Sequence, residues 1–218
     1  MKILCRGHSV IADALAKIEN PDAWPRGGEG DPDGQDYIEV EHLRRGKLPP
    51  PGDNNHRLLI CQGLQVQKKV FDQTTAEMSD ALAVNMQEVI QLCDYQLGLD
   101  ARARICVIGS EAAYTGSHNM AYSASKAAIH HYVEYRRVSK QQQLVCIAPT
   151  MIVPSGMHDR RNADGITASI DRMQKHPKKR WLKPIEVARM VHFLLCVDEG
   201  YTTNVVIRMN GGSHAGLK

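Results

Sequence analysis

The sequence predicts a doubly wound α/β fold on a mostly parallel sheet. Three observations carry that expectation. The runs MKILC (Met1–Cys5), RLLICQG (Arg57–Gly63), ICVI (Ile105–Ile108) and LVCIA (Leu144–Ala148) are short and continuously apolar, as strands buried on both faces are. Apolar residues at helical spacing separate several of them, as in strand–helix–strand crossovers. Glycine, serine or proline closes the runs, where a parallel strand must turn into its crossover. A chain of 218 residues suits one such domain over positions 1–218.

Met1–Cys5 is the first strand, and Gly7 follows it. Val10 to Ile18 is a helix with Ile11, Ala14, Leu15 and Ile18 on one face, capped by Ser9. Strand, glycine turn and helix together form an opening suited to a dinucleotide, with phosphate at the helix N-terminus. Asn20 to Asp36, rich in Pro, Gly and Asp, is loop. Tyr37–Glu41 alternates and is a short strand. Arg44 to His56, with prolines at 49–51, is loop again, so the N-terminal third is short of one element.

Past the Arg57–Gly63 strand, Thr75 to Leu97 carries Met78, Leu82, Val89, Leu92 and Cys93 at helical spacing, with Thr74 or Thr75 as cap. A helix spans Ala121 to Val138, and another begins at Lys183-Pro184 with Val187, Met190, Val191 and Leu194 on one face. Met157–Lys179 is polar, and Tyr201–Asn210 is the closing strand.

The chemistry concentrates between Ile105 and Val138. Ser110 ends a buried strand, and Tyr122 and Lys126, four apart at a helix start, share one helix face. A free phenol has a pKa of about 10 and is a poor acid-base group near neutrality. An ammonium one turn away favours the phenolate, and a serine hydroxyl beside them can hold a carbonyl oxygen. Such a trio moves a proton but not a hydride, which a cofactor must supply.

Ser110 followed at this distance by Tyr122-Ser123-Ala124-Ser125-Lys126-Ala127-Ala128 resembles the active-site block of the short-chain dehydrogenase/reductase family. That resemblance implies a Rossmann-type fold. It makes Tyr122 the acid-base residue, Lys126 its tuning partner and the ribose ligand, and Ser110 the residue that orients the substrate oxygen. Asn85, in Ala83-Val84-Asn85 and 25 residues before Ser110, matches the member that holds a water in a proton relay.

By the same resemblance the cofactor-binding residues are Gly7, Ile11, Glu39 and Val40 (the acidic-Val pair at adenine), Gly63, Tyr122, Lys126, Pro149, Ile152 and Ser155. Arg26, with Arg44 or Arg45 as lesser candidates, would meet a ribose 2′-phosphate. The cofactor is NADP or NAD, NADP slightly favoured. The family's glycine-rich loop is eroded: Val10 and Ala12 stand where later glycines fall, Cys61-Gln62 replaces Asn-Ala, Thr150 replaces a glycine and Asn210 an aspartate. The resemblance runs in order from Arg57 to Gly212, through Lys183–Ala188 and Gly211-Gly212.

The implied function is NAD(P)-dependent interconversion of a carbonyl and a secondary alcohol. The alternative is a family member with weak or lost cofactor use that serves as a binding or scaffolding module. The resemblance implies a small-molecule carbonyl or alcohol substrate. It also implies a homodimer or homotetramer built through the helices at 75–97 and 121–138 and the closing strand. The small net charge of +3 gives no expectation of nucleic acid, and no apolar run approaches a membrane span. His130 and His131 are adjacent and so cannot share a helix face as ligands, and no metal is expected. Six cysteines sit in apolar runs without a C-x-x-C pair, as free thiols of a reducing cytoplasm do. The chain opens on a strand, so no signal peptide is expected.

Overall fold

The computed structural model describes residues 2–7, 9–18, 39–44, 47–49, 57–66, 68, 70–155 and 163–213. Among the described residues six strands form one sheet: β1 (Lys2–Arg6), β2 (Glu39–Leu43), β3 (Arg57–Ile60), β4 (Arg104–Ile108), β5 (Gln143–Pro149) and β6 (Val205–Met209), in the order β2-β1-β3-β4-β5-β6. All five pairings are parallel. The strand order reverses between β1 and β3, and ligands of open α/β sheets bind outside the carboxyl ends of strands at such a point.

The apolar runs become the middle of the sheet. Every residue of β5 is buried, and Ile105, Cys106, Leu144, Val145, Cys146 and Ile147 are fully enclosed. Two apolar layers flank the sheet. Helices α1 (Val10–Leu15) and α7 (Pro184–His192) share one with Ile3, Leu59 and Val145. The other holds Leu58, Ile105 and Leu144 against α3 (Glu88–Leu99) and α5 (Met120–Tyr135). All six cysteines are free thiols.

Ser9 caps α1 by accepting from the Ala12 N–H at 3.3 Å, and α1 stops at Leu15, short of the expected Ile18. The helix expected over 75–97 is α2 (Thr75–Leu82), a π-helical turn at Ala83–Gln87 and then α3. Thr74 and Glu77 form its capping box. Asn119 Oδ1 caps α5 by accepting from Tyr122 N–H at 2.9 Å.

Two expected strands differ in extent. β2 is described over Glu39–Leu43 and runs two residues past the expected Glu41; the expected start at Tyr37 lies outside the described residues, as do Asn20–Asp36. The closing strand begins at Val205, because Asn204 adopts φ +52°. The Asn204 Nδ2 donates to the carbonyls of Val133 and Arg136 at the end of α5. The polar stretch after residue 157 contains a helix, α6 (Ala163–Lys175), and a short α4 (Ala112–Thr115) follows β4.

Candidate active site

A cleft of about 730 Å³ opens at the carboxyl ends of the strands, within the size range of small-molecule and cofactor sites. Ile11, Gly63, Ser110, Tyr122, Lys126, Pro149, Ile152 and Ser155 all line it. One cavity therefore gathers residues from the loops after β1, β3, β4 and β5.

Tyr122 and Lys126 lie one turn apart on α5. Lys126 is almost wholly buried, and its Nζ donates to the Ile108 carbonyl at 2.9 Å. That bond, the one the ammonium makes among the described residues, ties α5 to the end of β4, and a group with three donors keeps others for a ligand in the cleft. Burial pulls the Lys126 pKa down to about 8, while the Cys146 and Cys61 sulfurs oppose it.

Lys126 Nζ sits 5.9 Å from the centroid of the Tyr122 ring. The expected depression of the Tyr122 pKa does not follow from this arrangement. Burial pushes the Tyr122 phenol up, and a side-chain hydrogen bond with Ser110 pulls it partly back. Desolvation penalises phenolate and ammonium alike, so this pair begins as a neutral phenol beside a weakened ammonium.

Ser110 is half-buried, and its Oγ accepts from the Ala112 N–H at 3.1 Å. On either side of it, Gly109 N–H donates to Ile147 O at 2.7 Å and Glu111 N–H to Pro149 O at 2.9 Å. The turn after β4 is thus sewn to β5. The Glu111 carboxylate is ion-paired with Arg208 and accepts from Asn210 Nδ2 at 3.3 Å. The Arg208 guanidinium lies over the Tyr114 ring, 4.0 Å from its centroid.

Asn85 is fully buried in the π-helical turn and does not line the cleft. Its side chain is committed to Leu64, in the loop after β3. Gln62, in a position the sequence marks only as a departure from the family pattern, donates its Nε2 to the Val84 carbonyl at 2.6 Å. The same π turn therefore receives both residues that flank Gly63, and π turns recur at functional sites.

Several expected cofactor residues are placed elsewhere. Gly7 has φ +100°, and a Cβ there would meet the backbone of Gln62 at 2.8 Å; its glycine is required by contact between the ends of β1 and β3. The register sets Glu39 beside Lys2 and Val40 beside Ile3, at the amino end of the sheet. They cannot serve a ligand bound at the carboxyl ends. His42 and Leu43, beside Cys5 and Arg6, end β2 on the ligand side, and Arg44 follows them. Arg26 lies outside the described residues. Among the described residues no three His, Cys, Asp or Glu side chains cluster as metal ligands, and no helix is long and apolar enough to cross a membrane.

His130 is the site residue that sequence reasoning missed. Its adjacency to His131 argues only against a metal pair, yet it stands at Tyr122 plus eight on α5. Its Nε2 accepts from the Ser110 N–H at 3.3 Å. The spacing Tyr122, Lys126, His130 was the available signal, since steps of four lie on one helix face.

A parallel, doubly wound sheet with a serine, tyrosine and lysine gathered at its carboxyl edge defines the class of Rossmann-type oxidoreductases. A family profile described as "Enoyl-(Acyl carrier protein) reductase" matches residues 56–214, and the chain belongs to the short-chain dehydrogenase/reductase family. No curated protein matches it significantly.

Solved structures share the fold. A short chain dehydrogenase family protein from Francisella tularensis superposes with a TM-score of 0.74 at 17% identity, over 98% of each chain. Aldohexose dehydrogenase from Thermoplasma acidophilum gives 0.72 at 17% identity, over 98% of this chain and 93% of that one. A glucose/ribitol dehydrogenase from Brucella melitensis gives 0.60 at 24% identity, over 72% of this chain and 63% of that one. The chain thus spans less than two-thirds of the length of this last relative.

Proposed function

We propose that the protein is an NAD(P)-dependent oxidoreductase that interconverts a carbonyl compound and a secondary alcohol. The observation that carries this reading is the cleft in which Ser110, Tyr122 and Lys126 converge with Ile11, Gly63, Pro149 and Ile152. Lys126, with donors beyond its bond to Ile108 O, suits a ribose hydroxyl, and Pro149–Ile152 suits the nicotinamide end. The bound nicotinamide supplies or accepts the hydride.

The Ser110 hydroxyl holds the substrate oxygen. Tyr122 donates its phenolic proton to that oxygen during reduction and recovers it during oxidation. Because burial keeps Tyr122 protonated, the resting site is set for donation. Asn85, its side chain taken by Leu64, would contribute to a water-linked relay through its backbone carbonyl. Arg44, which follows β2 at its carboxyl end, would meet a 2′-phosphate, and its charge supports NADP over NAD. Six free thiols suit a reducing compartment such as the cytoplasm, and pairing of copies through α2–α3 and α5 is the assembly the family suggests.

Titration of the protein with NADPH and NADH, followed by nicotinamide fluorescence, tests the reading together with Tyr122→Phe. Binding of either nucleotide, with turnover lost and binding kept in Tyr122→Phe, is the expected result. No binding at millimolar concentration would sink it and leave the scaffolding reading, which the altered Val10, Ala12 and Thr150 positions favour.

A further inference from the structure

His130 is 4% exposed and packs under the turn that carries Ser110. Three facts about it belong together. Its Nε2 accepts the Ser110 N–H. Its Nδ1 is buried and has no hydrogen-bond partner among the described residues. And Gly109 leaves it room, since a Cβ there would meet His130 Nε2 at 2.3 Å and Cys146 Sγ at 2.7 Å.

The backbone geometry explains why an acceptor is needed. Gly109 and Glu111 direct their N–H groups to β5. Ser110, between them, directs its own to the opposite side, as alternate residues of an extended chain do. No β5 carbonyl can reach it there, and a buried amide left without an acceptor is costly. The imidazole Nε2 takes that place.

We propose that His130 is a positioning residue: its neutral imidazole, protonated at Nδ1, anchors the Ser110 amide and so fixes the serine hydroxyl against Tyr122, with Gly109 as the notch that admits the ring. This rests on the reading of Ser110 and Tyr122 as the catalytic pair. The Nδ1–H tautomer follows from Nε2 being the acceptor. It leaves a buried donor unsatisfied, a cost that a purely packing residue would not carry, since leucine would fill the space without it.

The groups around the ring keep it neutral. Lys126 faces it from α5, Tyr114 stacks tilted at 5.1 Å, Cys146 approaches from β5, and Glu111 and Arg208 act from farther off. Burial and the Lys126 charge hold its pKa near 4, against a weaker opposing pull from Glu111. The acceptor is therefore present throughout the neutral range.

The test uses 15N-labelled full-length protein with the variants His130→Leu and His130→Gln, the latter placing an amide oxygen near the Nε2 position. The wild type is expected to show the Nδ1–H tautomer without titration between about pH 5 and 8. Ser110 amide exchange should quicken by about tenfold or more in His130→Leu and stay near wild type in His130→Gln. With NADPH and 2,3-butanedione as probe substrate, His130→Leu should lower kcat about tenfold at unchanged KM and unchanged NADPH affinity, and His130→Gln should restore it.

A proton on Nε2, an unmoved Ser110 amide in His130→Leu, or an unchanged kcat in that variant would overturn the proposal. A wild type that binds no nucleotide instead overturns the oxidoreductase reading, while the tautomer and exchange measurements still decide how Ser110 is held.

Discussion

Asn85 grips both backbone groups of Leu64: its Oδ1 accepts from the Leu64 N–H at 2.7 Å and its Nδ2 donates to the Leu64 carbonyl at 2.7 Å. A fully buried amide thus stands in for a strand partner just beyond β3, in the loop that carries Gly63 into the cleft. Asn85→Leu removes both bonds and leaves two backbone groups unsatisfied. It should cost about 2–4 kcal/mol of stability, read as a lowered urea midpoint. Asn85→Asp, which keeps the acceptor and loses the donor, should fall between the two.

Lys126 predicts a pH dependence of stability. Its folded pKa of about 8 lies below the ordinary 10.5, so the unfolded chain binds more protons between those values. Stability therefore rises with pH through that window and is lost as pH falls through about 8. Urea unfolding of the wild type and Lys126→Met across about pH 7–10 checks this; the slope should flatten in the variant.

Arg44 should act on cofactor choice. Arg44→Ala is expected to weaken NADPH binding about tenfold and leave NADH nearly unchanged, since only the former carries a 2′-phosphate. Fluorescence titration of both nucleotides decides it, and an equal loss for both would remove Arg44 from that role.

Gly109→Ala should destabilise the protein by about 1–3 kcal/mol through overpacking against His130 and Cys146. His130→Ala in the same chain should relieve most of that loss. The double-mutant cycle, measured by denaturation, should show a coupling of about 1 kcal/mol or more.

The buried strands were legible because parallel strands covered on both faces are apolar throughout, and β4 and β5 stand within one residue of their expected ends. Tyr122, Lys126 and Ser110 were legible because their spacing survives translation into a helix and a strand end. The π turn was not: the added residue at Ala83–Gln87 leaves the apolar pattern on both sides intact and only rotates one half against the other. α6 carries a signal of its own, Ile166, Ile170 and Met173 at helical spacing, set in an otherwise polar stretch. The positions of Glu39 and Val40 failed for another reason: spacing along the chain says nothing about which end of an edge strand faces the ligand. Gln62 read as a lost motif and proved to be a tether to Val84.

The fit of Gly109 to His130 makes the two positions interdependent. With the imidazole in place, a side chain at 109 obliges the ring or the turn after β4 to shift, and a smaller residue at 130 lifts that constraint. The freedom of one position is therefore set by the occupant of the other, although they stand on different elements of the fold.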